Sequence, residues 1–375
     1  MEFVVDHERF HRVITQVSSV VSSRTTIPIL SGIKIKAEED RLIVVGSNSE
    51  VVLVKEIPLH SEGKKVLEVK QRGEIVLGTR YLSPLVKKLS EDISFSVQHH
   101  VAHIRSGDVK TRLSGMNPDD YPNLPELRQE QAVTVDGKAF NEMLQQTVFA
   151  ASTNQSRPLL TGVHFSYSND HLKAVATNSH RLSMRHTETN AGGEGNCTVP
   201  ASSLVTLSKL INKQSGELSL YIDEHFISFS QGSTTLYSRL LEGTYPNVSS
   251  LIPNESKLTI SLDTKKLYEA VDRACLFASD WRHNNIRMRL KDDSELSISS
   301  RTDEMGDISE KQVVTKVSGD AELDLYVDGQ FLKEALAFMD DEETLLSFGG
   351  AMRPIVIKPK SHSSYIQLIS PVRSY

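Results

Sequence analysis

A serine and a histidine stand side by side at Ser179-His180, and these residue types serve as nucleophile and general base in many hydrolases. We predict a strand here, and neighbouring side chains on a strand point to opposite faces, so the two would not form a hydrogen-bonded pair. The sequence also contains no Gly-x-Ser-x-Gly elbow and no Gly-x4-Gly-Lys-Ser/Thr phosphate loop. The motifs therefore favour neither a serine hydrolase nor an ATPase, and we expect no catalytic residues.

Three histidines, His99, His100 and His103, raise the question of a metal site. Their setting is typical of a short strand, a turn and a second strand, with no cysteine or acidic partner at ligand spacing. The two cysteines, Cys197 and Cys275, are far apart in sequence and fit no ligand spacing either. We expect no metal and no cofactor, and a reduced, cytoplasmic protein is the simplest account of the cysteines.

Composition indicates an ordinary globular protein. The 375 residues are enough for two or three domains, and 38% hydrophobic and 24% charged residues are average values. The sequence passes from Met1 directly into a strand pattern and has no apolar run of about 18 residues, so we expect neither a signal peptide nor a membrane partner. The net charge of −6 argues at first sight against nucleic acid.

The chain repeats itself with a period of about 125 residues. Asp6, Asp136 and Asp263 each end a strand pattern and precede a helical run. Tyr121-Pro122-Asn123 returns as Tyr245-Pro246-Asn247 near the end of the second copy. We therefore predict three copies of one domain, over residues 1–126, 127–254 and 255–375.

Each copy contains two helical patterns and several strand patterns, which predicts an α+β domain with two helices packed on antiparallel sheets. The helices are predicted at residues 7–22, 80–89, 137–150, 200–213, 264–278 and 329–339. They hold twelve Lys and Arg against five Asp and Glu, a net charge of +7 that leaves −13 for the rest of the chain. A basic helical surface on an acidic protein fits sequence-independent contact with DNA phosphates, although solvated helix faces also carry such residues.

Four features together resemble one protein family: the triplicate layout, the two Tyr-Pro-Asn segments, the segment from Thr177 to Leu182 (Thr-Asn-Ser-His-Arg-Leu) and the tail Pro371-Val372-Arg373. Over its whole length the chain resembles the bacterial DNA polymerase III beta subunit, the sliding clamp. The resemblance implies a DNA clamp fold in which two protomers join head to tail as a closed ring of six domains. Such a ring encircles double-stranded DNA and tethers a polymerase to it as a processivity factor, without catalysis.

The resemblance also implies partners and DNA contacts. Beside a second copy and DNA, a clamp binds a polymerase of the DNA polymerase III alpha type, a clamp loader and other proteins with a clamp-binding motif. Family DNA contacts match Arg24 and the turn that holds Asn154, Gln155 and Arg157. On the predicted helices the candidates are five lysines, Lys87, Lys88, Lys209, Lys265 and Lys266.

A second family site, a pocket for linear peptide motifs, matches residues of the second and third copies. They are Leu160, Thr177, Ser179, His180, Arg181, Leu182, Pro246, Leu251, Leu368, Pro371, Val372 and Arg373. The apolar members predict a cup for a partner's Leu or Phe, formed by Leu160, Leu182, Pro246 and Val372. We expect His180 and Arg181 to act as polar fixing points at the rim.

Three positions depart from the family pattern. Asn178 stands where Asp is usual, Ser250 where some members carry Arg, and Ser370 where a large apolar residue is common. They make the predicted pocket more polar or less charged, which leaves open a specialised second clamp beside a main one. An alternative of a different class is a repeat-built hydrolase that uses Asp, His and Ser from the cleft between domains.

The contact between protomers is the last expectation from the resemblance. The resemblance implies that, across the head-to-tail contact, an edge strand of the first copy, near Ile104 to Leu113, meets the region of Leu276 and Phe277 in the third copy.

Overall fold

A computed structural model gives the positions of most residues. The chain forms two compact units, one made of Met1–Lys138 and Ser202–Leu240 and the other of Ala139–Ala201 and Leu241–Tyr375. The second copy of the repeat therefore contributes to both units. The residues that the structure describes are 1–22, 25–48, 50–125, 132–211, 216–253, 255–278, 284–290, 294–302, 306–319 and 322–372.

Six α-helices lie in the described ranges, two in each third of the sequence. They are α1 (His7–Ser18), α2 (Thr79–Lys87), α3 (Gly137–Thr147), α4 (Ala201–Leu210), α5 (Thr264–Ala278) and α6 (Gly329–Ala337). Short 3-10 helices occupy Pro28–Ser31, Pro118–Asp120, Val148–Ala150, Pro158–Thr161 and Ser249–Leu251. Among the described helices, none combines the length and the apolar character that crossing a membrane requires.

Strands make up most of the remaining chain. In the first third they are β1 (Glu2–Val5), β2 (Gly32–Ala37), β3 (Arg41–Ser47), β4 (Val51–Pro58), β5 (His60–Ser61), β6 (Lys64–Lys65), β7 (Leu67–Gln71), β8 (Gly73–Gly78), β9 (Ile93–Gln98), β10 (Val101–Ser106) and β11 (Val109–Met116). In the second third they are β12 (Ala132–Asp136), β13 (Gly162–Tyr167), β14 (His171–Thr177), β15 (Arg181–Glu188), β16 (Asn190–Ala191), β17 (Gly195–Pro200), β18 (Glu217–Ile222), β19 (Phe226–Gln231) and β20 (Thr234–Arg239). In the last third they are β21 (Leu258–Asp263), β22 (Asn285–Leu290), β23 (Glu295–Thr302), β24 (Gly306–Val313), β25 (Thr315–Gly319), β26 (Leu323–Asp328), β27 (Glu343–Phe348), β28 (Ile355–Pro359) and β29 (Tyr365–Ile369).

Within each unit, antiparallel sheets run from one copy of the repeat into the next. The first unit holds the order β12-β18-β19-β20-β4-β3-β2-β8-β11-β10-β9-β1-β7, in which β20 of the second copy pairs with β4 of the first. The second unit holds β17-β13-β14-β15-β29-β28-β27-β21-β25, in which β15 of the second copy pairs with β29 of the third. A separate sheet of that unit has the order β24-β23-β22-β26. The predicted mixture of helices and antiparallel sheets is confirmed.

The aspartates of the repeat begin helices. The Asp6 carboxylate accepts a hydrogen bond from the backbone N–H of Arg9 at 2.8 Å, and the Asp263 carboxylate accepts one from the N–H of Lys266 at 2.8 Å. An aspartate in this position accepts a hydrogen bond from a backbone N–H that the helix leaves free. Its negative charge also interacts favourably with the positive end of the helix dipole. The repeat seen in the sequence is therefore a repeated strand-to-helix cap.

Several helices end earlier than the patterns predict. Helix α1 ends at Ser18 rather than at residue 22, because the hydroxyls of Ser18 and Ser19 donate to the carbonyls of Ile14 and Gln16, each at 2.6 Å. Serine hydroxyls that bond to nearby carbonyls compete with continuation of the helix. Similarly, α3 gives way to a 3-10 turn after Thr147, whose hydroxyl donates to the carbonyl of Met143 at 2.7 Å.

Candidate peptide-binding groove and basic helix ends

A groove of about 660 Å³ opens in the second unit, within the usual size of a ligand site. Nine of the twelve residues predicted for the peptide pocket line it: Leu160, Thr177, Ser179, His180, Arg181, Leu182, Pro246, Leu251 and Leu368. They come from the 3-10 turn at Pro158–Thr161, from β14, β15 and β29, and from the segment before β21. The fold thus collects on one surface residues from both the second and the third copy.

The floor of the groove is apolar. Leu160, Leu182 and Leu368 are buried in one cluster with Tyr245 and Val248. At the edge, Leu251 keeps 51% of its surface exposed. An apolar floor with a large exposed apolar side chain beside it favours a partner that inserts a Leu or Phe.

One wall of the groove is the turn between β14 and β15. The side-chain oxygen of Asn178 accepts hydrogen bonds from the backbone N–H groups of His180 and Arg181, both at 3.0 Å. The Thr177 hydroxyl donates to the carbonyl of Arg181 at 2.6 Å and closes the same turn. Asn178 therefore supplies the acceptor that an aspartate at this position would supply, without the charge.

The sequence interpretation of Ser179-His180 rested on a strand, and that assignment was wrong. Ser179 lies in the turn with φ of 77°, a left-handed conformation that is unusual for serine. Its hydroxyl accepts a hydrogen bond from Nη1 of Arg157 at 3.2 Å. This contact brings Arg157, predicted as a DNA contact, to the groove, which it also lines.

Arg181 differs from the expected polar fixing point. Its side chain is 10% exposed, and its guanidinium donates to Oε2 of Glu334 at 2.5 Å and to the backbone carbonyl of Phe149. The guanidinium also lies over the rings of Phe149 and Phe331, 5.1 and 4.4 Å from their centroids. The charged end of Arg181 is thus occupied by groups of its own unit.

The C-terminal tail is placed differently from the prediction. Pro371 and Val372 are not among the residues that line the groove, and the N–H of Val372 donates to the carbonyl of Tyr326 at 2.8 Å. Val372 is therefore held on β26 and does not complete the apolar cup. Arg373 lies outside the described residues.

Six groove residues were missed as pocket members by sequence reasoning: Arg157, Pro158, Leu159, Glu242, Val248 and Pro354. Ser370, which was expected to make the pocket more polar, also lines the groove. Pro158 and Leu159 adjoin Leu160 in a single 3-10 turn. The proline at the start of this turn could have indicated that all three residues lie together. Glu242, Val248 and Pro354 lie in irregular segments of the chain. No periodicity marks such segments as neighbours in space.

The DNA candidates of the second copy lie on an exposed turn. Asn154 and Gln155 are exposed, and the side-chain oxygen of Asn154 accepts from the N–H of Ser156 at 2.9 Å. Its own N–H donates to the Ser152 hydroxyl at 3.0 Å, which fixes the turn further. The first-copy candidate, Arg24, lies outside the described residues.

The five candidate lysines are exposed at helix ends. Lys87 and Lys88 close α2 and Lys209 lies in the last turn of α4, where the helix dipole favours cations. Lys265 and Lys266 begin α5, where the dipole disfavours them. With their observed bounds, the six described helices hold ten Lys and Arg against five Asp and Glu, so the predicted surplus of +7 falls to +5.

The other candidates for chemistry are not arranged as reactive sites. His99 and His100 form the turn between β9 and β10, both with positive φ. No group of three or more His, Cys, Asp or Glu able to hold a metal ion occurs among the residues that the structure describes. Burial raises the pKa of the Cys197 thiol to about 12 and that of Cys275 to about 11, so neither forms a nucleophilic thiolate near neutral pH.

Comparison with known proteins accounts for the full chain. The sequence models of the N-terminal, central and C-terminal domains of the DNA polymerase III beta subunit match residues 1–125, 134–247 and 249–373. The chain is 36% identical over 379 residues to the beta sliding clamp of Bacillus subtilis, and 33% identical over 378 residues to that of Staphylococcus aureus, covering all of each protein.

Solved structures give the same result for the fold. The sliding clamp of Bacillus subtilis superposes with a TM-score of 0.97 at 36% identity, and the DNA polymerase III beta chain of Streptococcus pneumoniae with 0.94 at 28%, each over the whole of both chains. The order of the three matched domains, the fold and the full-length identity agree with one another, and the chain therefore belongs to the DNA polymerase III beta subunit family.

Proposed function

We propose that this protein is a sliding clamp: two copies close into a ring around double-stranded DNA and hold a replicative polymerase there through the groove. The observation that carries the proposal is the pairing of a three-copy clamp architecture with an apolar groove of about 660 Å³. The protein acts in the cytoplasm by enclosure and tethering and catalyses no reaction. The three copies serve as its domains, with the boundaries 1–126, 127–254 and 255–375.

Two open strand edges support assembly. In the first copy, β11 pairs with β10 from Val109 to Ser114 but with β8 only at Gly115 and Met116, so most of its outer edge is open within the described chain. In the third copy, β24 is the edge strand of its sheet, and its Val313 is 79% exposed. Open edges of two different copies favour a head-to-tail contact, which closes into a ring or continues as a filament.

Exposed apolar surface near the second edge supports the same contact. Leu276, which the resemblance assigns to the interface, is 67% exposed on α5, and Arg273 of that helix binds Glu310 of β24 through two hydrogen bonds of 2.9 and 2.8 Å. Helix and edge strand thus form one continuous surface. Burial of such a side chain contributes about 1.5–3 kcal/mol.

The lysines at the helix ends support weak, sequence-independent DNA contact. Lys265 and Lys266 lie in the first turn of α5, where the positive end of the helix dipole makes lysine unfavourable. Their presence there supports a role other than helix stability. Phosphate contacts hold DNA without reading its sequence, so a ring of this kind slides. The partners proposed for the groove are an alpha-type DNA polymerase III, the clamp loader and other proteins with an apolar clamp-binding motif.

The first test is the oligomeric state. Light scattering after size exclusion, at several concentrations, is expected to give a dimer for the wild-type chain. Leu276→Lys should shift the protein towards monomer, because it places a charge on the apolar contact surface. Val205→Lys is the matched control, since Val205 is also exposed but lies on α4, and it should leave the dimer intact.

The second test is topological. Loaded with a clamp loader and ATP on nicked circular plasmid, the wild-type protein should remain on the DNA through gel filtration and escape after the plasmid is linearised. A monomeric wild-type chain at micromolar concentration, or equal retention on linear and circular DNA, would overturn the proposal.

A further inference from the structure

The guanidinium of Arg181 lies where the second and third copies meet inside one compact unit. It bonds Glu334 of α6 and the carbonyl of Phe149, which follows α3, and it lies over the ring of Phe331 on α6. Glu334 is fixed in turn by Nε2 of Gln330, which donates to its other oxygen at 2.7 Å. One buried cation therefore joins the end of α3 to α6.

Further contacts lie close to this junction of the second and third copies. The rings of Phe149 and Phe338 stack at 5.5 Å, and Nε2 of Gln146 donates to the carbonyl of Phe338 at 3.2 Å. From the third copy, Nε2 of Gln367 on β29 donates to the carbonyl of Ala335 at 2.7 Å. Arg181 contributes a positive charge to this contact zone and pairs it with Glu334.

The backbone of Arg181 belongs to the groove. Its neighbours His180 and Leu182 both line the groove, and Arg181 pairs with Ile369 across the β15–β29 ladder. The carbonyl of His180 accepts from the N–H of Ser370 of the third copy at 2.9 Å, and Ser370 also lines the groove. A shift of Arg181 would therefore move groove residues of both the second and the third copy.

The first copy shows that the turn itself does not need an arginine. There Asn48 accepts from the N–H groups of Glu50 and Val51 at 3.1 and 2.9 Å, in the arrangement that Asn178 has with His180 and Arg181. The counterpart of Arg181 is thus Val51, which is buried and apolar. Of these two copies, only the second has the arginine.

We propose that Arg181 is a positioning residue of the groove: its bond to Glu334 and its seat between Phe149 and Phe331 keep the groove residues of the second and third copies in the binding conformation, and its charged end does not contact the bound segment. The proposal rests on the function proposed for the groove. Lysine would not replace it, because a single ammonium lacks the planar fork that bonds two acceptors at once. A groove that is formed only part of the time binds with an affinity reduced by that fraction.

The test is a double-mutant cycle with Arg181→Met, Glu334→Gln and the double variant. The probe is a synthetic fluorescent peptide with adjacent Leu and Phe residues, and its Kd is read by fluorescence polarisation. We expect each single variant to raise Kd about tenfold, and the double variant no further, because both remove one coupled contact. Arg181→Lys should not restore affinity.

Arg185→Met is the matched control. Arg185 lies on the same strand and also reaches the third copy, where Nη1 donates to the Ser364 hydroxyl at 2.5 Å, but it does not line the groove. This variant is expected to keep the wild-type Kd even where it lowers the melting temperature. If Glu334→Gln binds like wild type while Arg181→Met does not, Arg181 contacts the peptide directly and the inference is overturned.

Hydrogen exchange of the free protein tests the inference without a ligand. The N–H groups of His180 and Arg181 should exchange faster in Arg181→Met and Glu334→Gln than in Arg185→Met. Unchanged exchange would also overturn the inference. A wild-type chain that fails to bind the peptide would instead contradict the function proposed for the groove, and the exchange result would stand separately.

Discussion

The first and second copies build the same turn from related sequences and use it differently. Asn48 lies between β3 and β4, and Asn178 lies between β14 and β15. In each turn the asparagine side chain accepts hydrogen bonds from two backbone N–H groups. In the first copy the neighbouring cluster contains Leu30, Val45 and Tyr237, all buried. In the second copy the equivalent cluster forms the floor of a groove and borders the exposed Leu251.

The difference between the two copies distinguishes residues that stabilise the fold from residues that form the groove. The asparagine, the 3-10 turn with its buried leucine and the paired strands are common to both copies, so they belong to the fold. The residues that change, Ser47 to Thr177, Glu50 to His180 and Val51 to Arg181, all line the groove in the second copy. Substitutions at matched positions should therefore divide into effects on stability and effects on peptide binding.

The largest effect is expected from the two buried leucines. Leu30→Ala should lower the free energy of unfolding by about 2–5 kcal/mol, because it leaves a cavity in a closed cluster, and peptide affinity should not change. Leu160→Ala should instead weaken peptide binding at least about tenfold, since it removes part of the groove floor. Urea denaturation and fluorescence polarisation measure the two quantities. Loss of peptide affinity in Leu30→Ala would break the comparison.

A buried lysine at the junction of the first two copies gives the next effect. Lys55 on β4 is 8% exposed, its ammonium donates to the Thr234 hydroxyl at 2.5 Å, and burial lowers its pKa from 10.5 to about 8. Replacement of this buried cation in Lys55→Met should raise the free energy of unfolding at pH 7 by about 1–3 kcal/mol.

The pH dependence of that gain has a definite sign. Between pH 8 and 10.5 the unfolded chain keeps the Lys55 proton that the folded chain releases, so the wild-type protein gains stability relative to Lys55→Met as pH rises. The advantage of the variant should therefore shrink across this window. Urea titrations of both proteins at pH 7, 8.5 and 10 measure it; an advantage that stays constant with pH would show that Lys55 does not titrate there.

The two asparagines give a smaller effect. Asn48→Ala and Asn178→Ala should each lower the free energy of unfolding by about 1 kcal/mol, because each leaves two N–H groups without their acceptor. Only Asn178→Ala should also lower the affinity for the peptide, since its turn forms a wall of the groove. Equal peptide affinity in both variants would show that the wall does not depend on the turn.

The smallest effect is expected from Asn178→Asp, which restores the usual residue of the family. A carboxylate accepts the same two hydrogen bonds with charge assistance, so stability at pH 7 should rise by no more than about 0.5 kcal/mol. The two bonds should lower the pKa of the new carboxyl, and the gain should disappear as pH falls below about 4. Thermal melts at pH 7 and pH 3.5, with wild type as reference, measure both; a loss of stability at pH 7 would contradict the assignment.

The repeat made the fold predictable from sequence. Asp6 and Asp263 mark helix starts because an aspartate before a helical run satisfies free N–H groups, and the structure confirms both caps. Helix ends were less predictable. The end of α1 depends on whether the hydroxyls of Ser18 and Ser19 donate hydrogen bonds to backbone carbonyls of the preceding turn. The spacing of apolar residues gives no information about such bonds.

Only part of the groove was accessible to sequence reasoning. Leu160, Leu182 and Leu368 follow from the resemblance, whereas Glu242 and Pro354 reach the groove from irregular segments far apart in the chain. Arg181 was expected at the rim as a polar fixing point for a bound peptide. Its burial depends on Phe149 and Glu334, which lie in different copies of the repeat.

The open edges of β11 and β24 have a consequence for the loading of a ring. In the proposed ring these edges would be covered, and opening the ring would expose them again together with Val313 of β24. Bare edges of this kind recruit strands from other chains. Rapid reclosure of such a ring would therefore limit aggregation as well as keep DNA enclosed, and a slow-closing variant should precipitate before it fails in replication.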